Sequence, residues 1–307
     1  SNSLNDRRVA TKIENKIGGI RMKRTTIKNE VSMTGIGLHK GDMISIVLKP
    51  NKGDNDYGLG IIFKRIDIVD RDNVVKVCHK NLFDLERGTN IKNEDNVKIY
   101  TIEHFLSSLS ALGITDIIVE ITGNELPILD GSSIQFVEKL QESGLEELET
   151  EIEPIIITEP LIYKEEKAGK YVLAIPYDGF KISYTIDFNH SFLKSQYYEI
   201  DLNLDEYIEK ISRSRTFAFD YEIDFLKKNN LALGGSLDNA IVVGKDGPLN
   251  PEGLRYHDEF VRHKILDIIG DLYVLGKPIR GHIIAIKAGH YVNAQMSKMI
   301  SKKYLKK

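Results

Sequence analysis

The reading turns on "DEFVRHKILDIIGD", residues 258–271. Phe260, Val261, Ile265, Leu266, Ile268 and Ile269 recur at the spacing of an apolar helix face. His263, Asp267 and Asp271 run along the same helix at intervals of four. At ~100° per residue, each step of four advances by only about 40°, so one imidazole and two carboxylates share a face. Burying such groups without partners costs their hydration. The stripe faces solvent, or it faces something that satisfies it. That choice decides what the chain is.

The same order of elements occurs twice. In the first half, "RTTIKNEVSMTG", "DMISIVLKP" and "GIIFKRID" read as strands, followed by a helix, "IYTIEHFLSSLSAL" (99–112), stopped by Gly113. A strand at 115–123, the turn "NELPILDG" and a helix at 132–144 complete it. In the second half, "IIITEPLIYK", "YVLAIPYD" and "FKISYTIDF" precede a long helix at 257–275. Gly276, a strand at 281–289 and the closing helix "NAQMSKMISKKYL" follow. The pattern predicts an α+β fold of two similar two-layer α/β sandwich domains, packed with the active site between their helices.

Residues 1–21 are set aside as an extension before the folded pattern. Residues 22–150 form the first domain and 151–307 the second, joined through an acidic linker, "LEELETEIEP" (145–154). A stretch at 220–243 without a counterpart in the first half reads as an insertion. Duplicate halves make the two long helices counterparts. Glu103 and His104 on one would then meet His263, Lys264 and Asp267 on the other in a central cleft.

At 307 residues the chain is long enough for two modest cores. Its 42 Lys and Arg against 45 Asp and Glu give a net charge of −3, which offers no support for wholesale nucleic-acid binding. One cysteine, Cys78, excludes an internal disulfide and fits a reducing cytoplasm. No apolar run approaches the ~18 residues of a transmembrane helix.

Several short motifs carry little. "GIGLHKG" (35–41) sits between strands with no helix to receive a pyrophosphate, so it reads as a hairpin. Cys78–His79 has no completing ligand, the serines of "SRSRTF" lack a nucleophile elbow, and "GGS" (234–236) reads as a turn. The metal reading is stronger. His263 and Asp267 at i, i+4 can reach one ion, and His104 from the other half would complete an open three-ligand set. Glu103 beside it would be the general base. An i, i+4 His/Asp pair alone is more often a surface ion pair. Matching motifs on apolar helices in two similar halves shift the balance toward a metal.

"TIEHFLSSLSALGITDIIVEITGNELPILDGSS", "SRTFAF", "LRYHDEFVRHKILDIIGDLYVLG" and "AGHYVN" closely resemble the UDP-3-O-acyl-N-acetylglucosamine deacetylases. These are zinc hydrolases of the committed step of lipid A synthesis in Gram-negative bacteria. The resemblance starts at "TTIKNEVSMTGIGLHKGD" and runs nearly to the C-terminus. It implies His104, His263 and Asp267 as zinc ligands (iron could use the same set) and Glu103 as general base. It implies a cationic His290 opposite the metal, held by Asp271, and Thr216 as hydroxyl donor to the oxyanion. Phe217 would line the site and Lys264 would meet the phosphate-bearing side of the substrate. Asp187, Phe188 and Lys287 resemble nucleotide-side contacts.

The 220–243 insertion would form an apolar passage for the hydroxyacyl chain, with Ile223, Leu231, Ala232, Leu237, Ala240 and Val242 available to line it. Ordinary subdomain packing accounts equally well for about half of them, since an apolar run does not separate core from lipid groove. The implied partner is an acylated UDP-amino sugar, acted on by a cytoplasmic monomer with at most peripheral contact to the inner membrane. One departure stands out: Phe188–Asn189–His190–Ser191 carries a serine where relatives read proline, which bears on the shape of the substrate mouth. Two rivals remain beside this reading, a zinc deacetylase of another N-acetyl sugar and a non-catalytic scaffold with an ion-pair seam.

Overall fold

The computed structural model describes residues 21–305, so the expected extension lies, except for Arg21, outside the described residues. The first half contains β1 (Met22–Ile27), β2 (Val31–Ile36), β3 (Met43–Pro50), β4 (Ile61–Arg65) and β5 (Val74–Lys76). Three short strands follow, β6 (Leu82–Phe83), β7 (Asn90–Lys92) and β8 (Lys98–Ile99). Then come helix α1 (Glu103–Leu112), β9 (Ile117–Ile121), α2 (Ile134–Ser143) and β10 (Leu145–Ile152).

The second half opens with β11 (Ile155–Ile156), β12 (Leu161–Glu165), β13 (Lys170–Ile175), β14 (Phe180–Asp187) and β15 (Ser195–Asp201). It continues through α3 (Leu204–Lys210), β16 (Phe217–Phe219), α4 (Asp220–Lys228), β17 (Ile241–Gly244) and β18 (Gly247–Pro248). It closes with α5 (Glu259–Leu272), β19 (Ile279–Ile286) and α6 (His290–Tyr304).

The repeated order of elements is a repeated topology. The first sheet runs β2-β3-β9-β4-β5 and the second β12-β13-β19-β14-β15. In both, the strand after the long helix enters the middle of the sheet, antiparallel to one neighbour and parallel to the other. Strict alternation of side chains gives each sheet one helix-facing side. Along β19, "IRGHIIAI", every second residue is buried. Phe105, Leu106 and Leu109 of α1 share a core with Leu48, Phe63 and Val119 of the first sheet. Phe260, Ile265 and Leu266 of α5 do the same with Val172, Ile182 and Ile283 of the second. The α+β fold of two helix-covered sheets is therefore as the sequence predicts.

The two helix layers meet through α1 and α5. At their crossing, a Cβ on Gly270 would lie 2.0 Å from the carbonyl oxygen of Glu103, so only glycine permits the approach. Both long helices end at a left-handed glycine downstream, Gly113 directly after α1 and Gly276 after the 3-10 turn that extends α5.

The expected helix at 99–112 begins only at Glu103, Ile99 belonging to β8, and three further details depart from the sequence-based expectations. The acidic linker at 145–154 is mostly strand: β10 pairs antiparallel with β1 in a two-stranded ribbon. Five of its eight residues are charged or polar and it buries little, so no alternating apolar signal marks it. The insertion is not confined to the second half, because the first half carries its own small sheet, β6-β7-β8, at the matching place before the long helix. The last helix starts at His290 rather than Asn293. No helix among the described residues is long and apolar enough to cross a membrane.

Candidate metal centre and catalytic site

α1 begins at Glu103, which puts Glu103 and His104 in its first turn, both buried. The close crossing at Gly270 sets that turn against the middle of α5. His104 Nε2 and His263 Nε2 lie 3.4 and 3.3 Å from Asp267 Oδ1. The two rings stand nearly perpendicular, 88°, with centroids 4.9 Å apart. One donor atom from each residue falls within 4.8 Å of the others. His263 Nδ1 is 3.0 Å from the Ser214 carbonyl oxygen. A proton on Nδ1 donated to that carbonyl leaves the Nε2 lone pair facing the cluster.

Asp267 Oδ1 is buried and has no hydrogen-bond partner. A buried acceptor left unpaired is costly. Two imidazole nitrogens and a carboxylate converging on such an oxygen suit a divalent ion that takes nitrogen and oxygen ligands. The residues fit a metal. The Asp267 carboxyl sits well below the usual carboxylate range: burial pushes it up, but the His263 and His104 imidazoles outweigh burial. Burial lowers His104, and Asp267 more than reverses this, so its net shift is upward.

Opposite this cluster is His290, in the first turn of α6, with Nδ1 2.7 Å from Asp271 Oδ2 and Nε2 3.8 Å from Glu103 Oε1. Burial would lower the His290 pKa, but the Asp271 carboxylate overrides it and pushes the value up to about 10. Glu103 is raised above its ordinary 4.5, with burial as the main cause and His290 the largest opposing influence. The site thus holds a cationic imidazole beside a carboxyl tuned toward neutrality, the condition for acid–base work.

A cavity of about 640 Å³ opens from His263, Asp267 and His290 and is bordered by Thr216, Phe217 and Lys264. Lys264 Nζ lies 5.6 Å from the centre of the Phe217 ring, which Phe188 meets edge-on at 6.0 Å. Ile223, Ala232, Leu237, Ala240 and Val242 all border the cavity, while Leu231 does not. Asp187 and Lys287 are not among its lining either. They sit at the ends of neighbouring strands β14 and β19, where Asp187 accepts a hydrogen bond from Ser195 at 2.7 Å. The loop after Phe188 is held by His190 Nδ1, which accepts from the Phe192 and Leu193 amides at 3.0 Å. Ser191 donates to the Lys245 carbonyl at 2.6 Å, a bond that proline would lack.

Other residues at the site drew no role from the sequence. Thr89, from the loop between β6 and β7, bonds both Glu103 and Asp271. Asn293 of α6 donates to Asp271 Oδ2 at 3.0 Å. Arg215, buried next to Thr216, makes a bidentate pair with buried Glu259 at 2.9 and 3.1 Å. Only the tertiary fold brings these groups in.

The sequence profile of UDP-3-O-acyl N-acetylglycosamine deacetylases matches residues 24–302. A UDP-3-O-acyl-N-acetylglucosamine deacetylase of Idiomarina loihiensis is 42% identical over 279 residues, covering 90% of this chain and 88% of the relative. The enzyme of the same name from Neisseria meningitidis serogroup C is 42% identical over 275 residues, 89% of this chain and 88% of its own. The matched span contains both crossing helices and the cavity beside them, and the chain belongs to the UDP-3-O-acyl N-acetylglycosamine deacetylase family.

Proposed function

We propose that the chain hydrolyses the acetamide of UDP-3-O-(3-hydroxyacyl)-N-acetylglucosamine, releasing acetate and a free glucosamine amine, with one zinc ion held by His104, His263 and Asp267. The observation that carries this reading is the convergence of two imidazoles on the buried Asp267 Oδ1, which makes no hydrogen bond, with ligand atoms of Glu103 and His290 within 4.8 Å of the Asp267 carboxylate. Glu103 and His290 beside the cluster are groups that an ion-pair seam does not need, which weighs against the scaffold reading. Bound zinc supplies Lewis-acid polarisation of the acetamide carbonyl and acidifies a water molecule; ferrous iron suits the same donors.

The chain's own groups divide the rest of the work. Glu103, raised by burial, accepts a proton from the attacking water. The cationic His290 and the Thr216 hydroxyl donate to the oxygen that becomes anionic as the carbonyl turns tetrahedral. Asp271 keeps the His290 ring oriented and protonated. The leaving amine takes its proton from His290 or from Glu103. Lys264 meets the phosphate-bearing side and Phe217 packs on the sugar, with Phe188, Asp187 and Lys287 toward the nucleotide. Ile223, Ala232, Ala240 and Val242 border the passage for the acyl chain.

In this reading residues 22–150 and 151–307 act as two domains that each supply part of the site. The enzyme works as a monomer in the cytoplasm, touching the inner membrane only peripherally.

Acetate release from the acylated UDP-sugar tests the assignment. Glu103→Ala is expected to keep its zinc and lose activity by about 10²- to 10⁴-fold, the usual worth of a general base. Full activity in that variant would remove Glu103 from the reaction.

A further inference from the structure

The geometry points to Thr89 as a positioning residue that holds Glu103 and the Asp271–His290 pair in one frame; this role rests on the deacetylase reading above. Thr89 lies in the "ERGTN" loop (86–90) of the first half's small sheet and is 2% exposed. Its backbone brackets the start of α1. The Thr89 carbonyl accepts from the Ile102 amide at 3.0 Å, and the Thr89 amide donates to Glu103 Oε2, also at 3.0 Å.

The side chain reaches the other half of the molecule. Thr89 Oγ1 donates to Asp271 Oδ1 at 2.5 Å and lies 3.3 Å from His290 Nδ1. A hydroxyl has one proton and two lone pairs. With the proton given to Asp271, a lone pair faces the His290 Nδ1–H, which Asp271 Oδ2 also accepts at 2.7 Å. Asn293 Nδ2 donates to the same Oδ2 at 3.0 Å. The Asp271 carboxylate thus receives donors from α6 on one oxygen and from the Thr89 loop on the other.

Removing the Thr89 hydroxyl would leave Oδ1 of a nearly fully buried carboxylate without this donor, a state relieved by rotating the group. Rotation of Asp271 would carry His290 with it. His290 Nε2, 3.8 Å from Glu103, would then leave its place at the reacting carbonyl. Thr89 touches neither the substrate nor the metal ligands in this scheme. It acts through Asp271 and His290, and its amide fixes which Glu103 oxygen remains free.

The test compares zinc-loaded Thr89→Val, which keeps the shape and removes the hydroxyl, with Thr89→Ser, which keeps the hydroxyl. Thr89→Val is expected to lose about 10- to 100-fold in kcat, as for other orienting groups around a metal site, with KM and zinc content unchanged. Thr89→Ser is expected to stay within about threefold of the parent on the same scale. Parental kcat in Thr89→Val, or a Thr89→Ser as impaired as Thr89→Val, would overturn the role. Should Thr89→Val fail to fold, Thr89→Ala against Thr89→Ser makes the same comparison. A parent enzyme that releases no acetate would sink the deacetylase reading and this role with it, whereas an active parent matched by Thr89→Val sinks Thr89 alone.

Discussion

Gly270 of α5 and Glu103 of α1 approach so closely that a methyl group on the first would sit 2.0 Å from the carbonyl oxygen of the second. The obstacle is helix backbone, which cannot swing aside as a side-chain tip can. Gly270→Ala must push α1 and α5 apart, and overpacking of this kind costs about 1–3 kcal/mol or more. Because His104 rides on one helix and His263 and Asp267 on the other, separation also loosens the ligand set. Lower Tm and lower zinc affinity are expected together, read by calorimetry and metal analysis. A variant with parental Tm and zinc content would show that the crossing does not depend on this glycine.

The His290–Asp271 pair makes a pH prediction with a definite sign. His290 is raised from an ordinary 6.5 to about 10 by Asp271, against the lowering effect of burial. The folded state then holds a proton that the unfolded state releases. Its stabilisation is complete below about pH 6.5 and is lost as pH climbs through about 10. In Asp271→Asn the main raising influence is gone, so the parent's Tm should fall more steeply between neutral pH and pH 10 than the variant's. Parallel curves would contradict the assignment. On the acid side, burial of Glu103 places the loss of activity at higher pH than an exposed glutamate with its ordinary value of 4.5 would give.

The cavity makes a specificity prediction. Ala240 and Val242 border a space of about 640 Å³ that reaches His263 and Asp267. Ala240→Phe is expected to fill part of it. Ala240→Phe should therefore lower turnover of the long-acyl substrate by about tenfold or more, the worth of 1.4 kcal/mol, while sparing a short-acyl analogue. Equal losses on both substrates would mean that the cavity does not receive the chain.

Much of this was legible in the residues because its signals are periodic. Phe260, Ile265 and Leu266 mark the buried face of α5, and the matching order around "EHF" and "HKILD" announces two similar halves with polar groups at their contact. What stayed hidden had no period to show. β10 is a strand with little burial and therefore no alternation, held by its pairing with β1. Thr89 lies in a loop without a motif, 182 residues from the carboxylate that it bonds. Arg215 reads as one more basic residue until Glu259 is seen against it. Leu231, singled out as apolar, does not border the cavity, because composition does not say which side of a turn faces inward.

The central claim is a single metal ion shared between the two halves. Anomalous diffraction at the zinc edge from crystals of the zinc-loaded protein tests it most directly. One peak within bonding distance of His104 Nε2, His263 Nε2 and the Asp267 carboxylate, about 2.0–2.2 Å from each, is expected. A zinc-loaded crystal with no peak among these three residues, or with its peak held by other side chains, would contradict it.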